Sequence, residues 1–156
     1  MPLEIERKFL VHSDRWNALK KPNGKKIIQS YLSFTPERTV RVRIKDTDAF
    51  ITIKGKSEGI SRLEYEYPIP VSDAEGMISR LNLDAIEKIR YIIPLDNHLW
   101  EVDVFFGNNQ GLIVAEIELE SEDESFTKPD WIHKEVSHDP RYFNSNLLLN
   151  PITTWM

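Results

Sequence analysis

The chain has 156 residues, 40% of them apolar and 29% charged, with a formal net charge of −5, and this suits one folded domain spanning 1–156. The acidic balance argues against nonspecific nucleic-acid binding, and the lack of cysteine excludes disulfides, thiolate metal ligands and thiol nucleophiles. No apolar run is long enough for a membrane-spanning helix, and the first residues lack a signal peptide's basic start and apolar core. A soluble, cytoplasmic protein with no membrane and no nucleic-acid partner is therefore expected.

Alternating patterns predict eight strands. The first covers 2–11, where Glu4, Glu6 and Lys8 alternate with Ile5, Arg7 and Phe9. A short helix over 13–19 comes next. Strands follow over 26–34, 38–46, 49–55 and 62–70, separated by Thr35-Pro36, Asp46-Thr47-Asp48 and Gly59. Ser72 with Glu75 forms a capping box ahead of Met77, Ile78 and Leu81, which predicts a helix. Strands resume over 85–94, 99–106 and 112–120. A second box, Ser121 with Glu124, opens a short segment stopped near Pro129, and a last helix is read over 144–149 before Pro151. Short connections make successive strands antiparallel neighbours, and eight strands are enough to close a barrel.

One face of each strand is charged. After Glu4, Glu6 and Lys8 come Arg41, Arg43 and Lys45, then Thr52 and Lys54, then Arg62, Glu64 and Glu66. Lys88 and Arg90 follow, then Glu101 and Asp103, then Glu116, Glu118 and Glu120. Two readings are open. In an antiparallel sheet with one wet face, these charges are simply solvated. In a closed barrel with the charges inward, they line a lumen wide enough for one small ligand.

Two features favour the lumen. Solvated strand faces favour residues of high strand propensity such as Thr, yet Glu, Lys and Arg prevail here. The signs are also segregated, with Arg41, Arg43, Lys45 and Lys54 set against Asp103, Glu116 and Glu118. Inward charges need compensation. Carboxylates suit Mg²⁺ or Mn²⁺, and Arg forks and Lys ammoniums suit phosphate oxygens. The combination points to a metal–polyphosphate complex. The apolar strand faces would then point outward and need cover from the helices, Trp16, Trp131, Trp155 or a second subunit in a homodimer.

Seven segments in this order resemble the CYTH superfamily, the triphosphate tunnel metalloenzymes. They are the E-x-E-x-K start at Glu4, Glu6 and Lys8, Arg41-Val42-Arg43, Thr52-Ile53-Lys54, Glu64-Tyr65-Glu66, Lys88-Ile89-Arg90, Glu101-Val102-Asp103-Val104-Phe105 and Glu116-Ile117-Glu118. The tail Asp139-Pro140-Arg141-Tyr142-Phe143-Asn144 also resembles short bacterial members, in which a basic residue often precedes the Asn. Phe143 departs from that pattern, so this segment is given no phosphate contact.

The resemblance implies a mainly β fold: a closed antiparallel eight-stranded tunnel, open at both ends, with a few flanking helices. It implies Mg²⁺ or Mn²⁺ and a triphosphate substrate. Carried onto this sequence, Glu4, Glu6, Asp103, Glu116 and Glu118 are metal ligands. Lys8, Arg41, Arg43, Lys54, Lys88 and Arg90 handle phosphates, and Arg62 faces the same way. Glu64 and Glu66 are implied to help with a second metal or the attacking water and, with Lys8 and Lys88, form the implied catalytic set. Hydrolysis of inorganic triphosphate is the expected reaction. The alternatives are an adenylyl cyclase, a thiamine triphosphatase and a noncatalytic polyphosphate-binding module. No Walker loop is present, because Gly55-Lys56-Ser57 lacks the glycine spacing. His12, His98, His133 and His138 show no i, i+4 pairing and are read as structural or solvated.

Overall fold

The computed structural model describes residues 3–155, so the expected strand start at Pro2 lies outside the described residues. Among the described residues nine strands form: β1 (Leu3–Val11), β2 (Lys25–Thr35), β3 (Arg38–Lys45), β4 (Asp48–Gly55), β5 (Ser61–Ile69), β6 (Ile86–Leu95), β7 (His98–Phe105), β8 (Ile113–Glu118) and β9 (Ile132–Glu135). The helices are α1 (Ser13–Ala18), α2 (Val71–Arg80) and α3 (Asn144–Leu149). Single 3₁₀ turns form at Gly107–Asn109, Pro140–Tyr142 and Ile152–Thr154.

The sheet runs β5-β4-β3-β2-β6-β7-β8-β1, and β1 pairs back onto β5, closing an eight-stranded antiparallel ring. Leu3 to Ile5 of β1 pair with β5, while Phe9 and Val11 pair on the same side with β9. Tight hairpins hold the neighbours in register. Asp46 and Asp96 adopt φ of 58° and 55° in the two-residue turns after β3 and β6. Asp tolerates that left-handed conformation because its short polar side chain bonds locally.

Directly opposed residues share a face, so register sorts the charges. Lys54 faces Glu64, Thr52 faces Arg41 and Glu66, and Arg90 faces Asp103. These faces turn inward, and the apolar faces turn outward. On one side of the ring Phe9, Trp100 and Ile117 pack under Trp16 of α1 and Trp131. The aromatic pairs there meet edge-to-face, Phe9 to Trp100 at 5.6 Å and Trp16 to Trp131 at 5.5 Å. On another side α2 lays Ala74, Met77 and Ile78 over Val42, Ile44 and Ala49. Outer positions Ile53, Leu63, Tyr65 and Tyr67 stay 37–53% exposed.

A third cluster sits inside one end of the barrel. There the inward positions become apolar: Leu10, Ile86, Phe105 and Val114 surround Leu147 of α3, which is 0% exposed. Asn109 anchors the plug, donating from Nδ2 to the Leu147 carbonyl at 3.2 Å and accepting the Ile152 N–H at 2.9 Å. Trp155, expected as outer cover, packs instead on Tyr142 beside this plug, at 5.2 Å. The barrel is thus stopped at one end rather than open at both.

Other expectations are corrected. β8 covers 113–118 rather than 112–120. The capping box at Ser72 does not form; Pro70 is the N-cap and Ser72 lies inside α2. The box at Ser121 makes no helix: Glu124 accepts the Glu120 N–H at 2.6 Å within a loop. The segment after it lacks helical apolar spacing, so the local bond forms without propagating.

Candidate active site

The barrel encloses a cavity of about 320 Å³. Twelve of the fourteen residues singled out from sequence line it: Glu4, Glu6, Lys8, Arg41, Arg43, Lys54, Arg62, Glu64, Glu66, Arg90, Glu116 and Glu118. Lys88 and Asp103 lie behind that surface, each 1% exposed.

Acids and bases are interlocked. Lys54 Nζ lies 2.9 Å from Glu4 and 3.3 Å from Glu64. Lys8 Nζ lies 3.6 Å from Glu116 and donates to the Tyr142 carbonyl at 3.2 Å. Glu66 reaches Arg43 at 3.5 Å and Arg41 at 3.6 Å. Arg90 donates twice to Asp103, at 2.8 and 2.9 Å, and once to Glu101 at 3.1 Å. Lys88 meets Asp103 at 2.7 Å and Asn144 at 3.1 Å. Arg62 turns aside to the Gly55 carbonyl, at 2.8 and 3.0 Å.

Charge separates two kinds of acid. Burial alone would raise the Asp103 carboxyl, but Arg90 and Lys88 hold it far below the usual range. Burial also opposes ionisation of Glu116, yet Lys8 and Arg90 pull it down to about 2. Glu6 is different. Burial, then the neighbouring Glu116 and Glu4, push it well above the ordinary carboxylate value. Glu118 is raised by burial and by Glu4 and Glu101. Burial comes first for both, and acids are also crowded by register, with Glu6 opposite Glu118 and Glu101 opposite Glu116 across the strands.

This acidic wall is over-supplied with negative charge and has only oxygen donors. Hard divalent cations suit such a donor set. Among the described residues, no three acidic or imidazole side chains already converge on one ion position, because several acids are turned toward bases. On the basic side, burial and then Arg41 and Arg90 lower Arg43 to about 10. Burial lowers Lys88 to about 8 despite Asp103. Crowded buried cations of this kind favour an incoming anion.

The lumen also includes residues that sequence reading left unassigned: Tyr31, Thr39, Lys45, Ser57, Glu101, Ser137, Phe143, Asn144 and Ser145. Lys45 and Glu101 share the alternation of their strands and were legible by it. Phe143 was set aside, yet its ring lies 5.5 Å from Lys8 Nζ, so the tail does border the site.

A closed antiparallel ring whose inward positions carry interlocked acids and bases has the charge pattern that suits a polyanion with counter-cations. The chain belongs to the CYTH family, whose domain it matches over residues 2–144. It is 49% identical over 152 residues to an inorganic triphosphatase of Acetivibrio thermocellus, covering 97% of this chain and 96% of that one. It is 37% identical to an inorganic triphosphatase of Nitrosomonas europaea, covering 94% and 97%. A crystal structure of an inorganic triphosphatase superposes with a TM-score of 0.65 at 34% identity, covering 94% of each chain.

Proposed function

We propose that this protein is a divalent-metal-dependent hydrolase that cleaves inorganic triphosphate to pyrophosphate and phosphate. The observation that carries this reading is the lumen itself, in which acids and bases of the two banks line one 320 Å³ cavity. Two relatives covered over nearly their whole length bear the name inorganic triphosphatase, which supports the same substrate.

Lys8, Arg41, Arg43, Lys54 and Arg90 bind and orient the phosphate chain, and their charge stabilises the departing pyrophosphate. Glu4, Glu6, Glu116 and Glu118 would hold Mg²⁺ or Mn²⁺. Such an ion supplies charge neutralisation at phosphate oxygens and a lowered pKa for bound water. Glu64 borders the cavity beside Lys54 and orients the attacking water in this reading. Asp103 and Lys88 belong to the wall: Asp103 fixes the Arg90 guanidinium through two parallel bonds, and Lys88 ties the wall to Asn144 of the plug.

A cyclase must also fix ribose and base so that the 3′-hydroxyl meets the α-phosphorus. The cavity lining is dominated by charged side chains, with Tyr31 and Phe143 as its aromatics, and Phe143 stands beside Lys8 at the stopped end. The test is a chromatographic product assay on inorganic triphosphate, ATP and thiamine triphosphate, with Mg²⁺ and with Mn²⁺. Inorganic triphosphate should show the highest kcat/KM, with cyclic AMP absent. ATP as the better substrate with cyclic AMP as its main product overturns the reading in favour of a cyclase.

A further inference from the structure

One carboxylate oxygen in the lumen occupies two arginines at once. Glu66 Oε2 lies 3.5 Å from Arg43 Nη2 and 3.6 Å from Arg41 Nη2. It also accepts the Thr52 hydroxyl at 2.9 Å, and Arg41 Nη2 donates to that same hydroxyl at 3.2 Å. Thr52 is fully buried, whereas the Glu66 side chain is 34% exposed and borders the cavity. The Nε atoms of Arg41 and Arg43 are buried and without a hydrogen-bond partner among the described residues. Each guanidinium therefore has donor capacity in reserve and an internal anion on its outer nitrogen.

A phosphate that forks onto these arginines meets Glu66 already there. Two anions on one guanidinium repel each other. Either Glu66 leaves or its charge is compensated, and a hard cation at its free oxygen supplies the compensation and competes with the arginines for the carboxylate.

We propose that Glu66 makes phosphate binding conditional on the divalent cation: it keeps Arg41 and Arg43 occupied until a cation takes its carboxylate. Glu66 is in this sense a positioning residue that acts through the two arginines. The idea rests on the triphosphatase reading of the lumen and goes beyond it. By linkage, the factor by which cation tightens triphosphate equals the factor by which triphosphate tightens cation. The consequence is selective: free polyanions without metal are bound poorly, and the metal complex is bound well.

Glu118 is the control, because it borders the same cavity and enters no ion pair among the described residues. Glu66→Gln and Glu118→Gln remove the same charge from one lumen, but only the first frees two arginines. Binding of inorganic triphosphate is measured by calorimetry in metal-free buffer, where no turnover occurs. Glu66→Gln should bind at least about tenfold more tightly than wild type, and Glu118→Gln less than about threefold. Binding of diimidotriphosphate, which resists hydrolysis, is then measured with and without Mg²⁺. Wild type should tighten with Mg²⁺ by a clearly larger factor than Glu66→Gln, which keeps only the contribution of Glu4, Glu6, Glu116 and Glu118. Equal metal-free affinity in the two variants, or an unchanged Mg²⁺ effect in Glu66→Gln, overturns the proposal. Glu66→Ala repeats the measurement without an amide, and melting curves verify that each variant is folded. Failure of wild type to hydrolyse triphosphate removes the enzymatic reading instead, so the two failures are distinguishable.

Discussion

Asp103→Asn tests whether this acid serves the wall or the metal. The carboxylate is 1% exposed and receives Lys88 Nζ at 2.7 Å and two Arg90 nitrogens at 2.8 and 2.9 Å. Asparagine keeps the shape and removes the charge, leaving two buried cations facing one amide. Removing one partner of a buried ion pair costs about 3–5 kcal/mol. At about 2–4 °C per kcal/mol for a chain of this size, the Tm of the metal-free protein should fall by roughly 6–20 °C. The deficit should depend on pH. Lys88 titrates at about 8 in the fold and, without Asp103, sheds its proton lower still. An unfolded lysine keeps its proton to about 10.4, so folding releases one and stability climbs with pH across that interval. In the variant the climb starts earlier, so its deficit narrows as pH rises to about 8. Circular dichroism melts in metal-free buffer from pH 6 to 9 make the measurement. A Tm that is unchanged or raised would show that Asp103 is a spare acid awaiting a cation, and would withdraw its wall role.

Glu116→Gln keeps volume and removes a charge from the acidic wall, so metal-dependent kcat should fall at least about 10²-fold, equivalent to about 2.7 kcal/mol of barrier. Full turnover in that variant would remove Glu116 from the metal set. Arg43→Lys keeps charge but loses the fork, so kcat/KM for inorganic triphosphate should drop measurably, and further in Arg43→Ala. Equal values across the three proteins would show that Arg43 does not touch phosphate. Glu6→Gln relieves the crowding with Glu116 and Glu4, so the metal-free Tm should rise at pH 7.5 while activity is lost. A lower Tm would mean that the crowding is already compensated. Leu147→Ala empties the centre of the plug and should cost about 2–5 kcal/mol. A loss under about 1 kcal/mol would mean that the barrel end is held by other contacts.

The ring and its charged lumen were legible because a strand period of two assigns every side chain to a face, and the charges of seven segments repeat that period. Arg41, Thr52 and Glu66 could be placed on one surface before their contacts were known. What period cannot give is partnership. β9 is four residues, Ile132-His133-Lys134-Glu135, with no clean alternation, and it exists because β1 offers an edge more than a hundred residues away. Helix α3 was legible as a helix from Asn144 to Leu149, but its docking inside the barrel depends on Leu10, Ile86, Phe105 and Val114 turning inward beyond the charged rows. Gln29, fully buried on the lumen side opposite Arg43, carried no signal because it is uncharged. The depth of Asp103 and Lys88 was not legible for a related reason: alternation gives the side of a wall and not the depth within it.

The plug of α3 governs traffic as well as shape. With one end stopped by Leu147 and its neighbours, everything that enters the lumen departs through the same mouth. If a phosphate chain enters end-on, the portion that goes in first comes out last. After cleavage the outer fragment blocks the inner one, so the order of product departure is written into the topology before any difference in affinity acts. A fragment that lingers at the mouth therefore delays the next cycle even when the inner fragment is only weakly held.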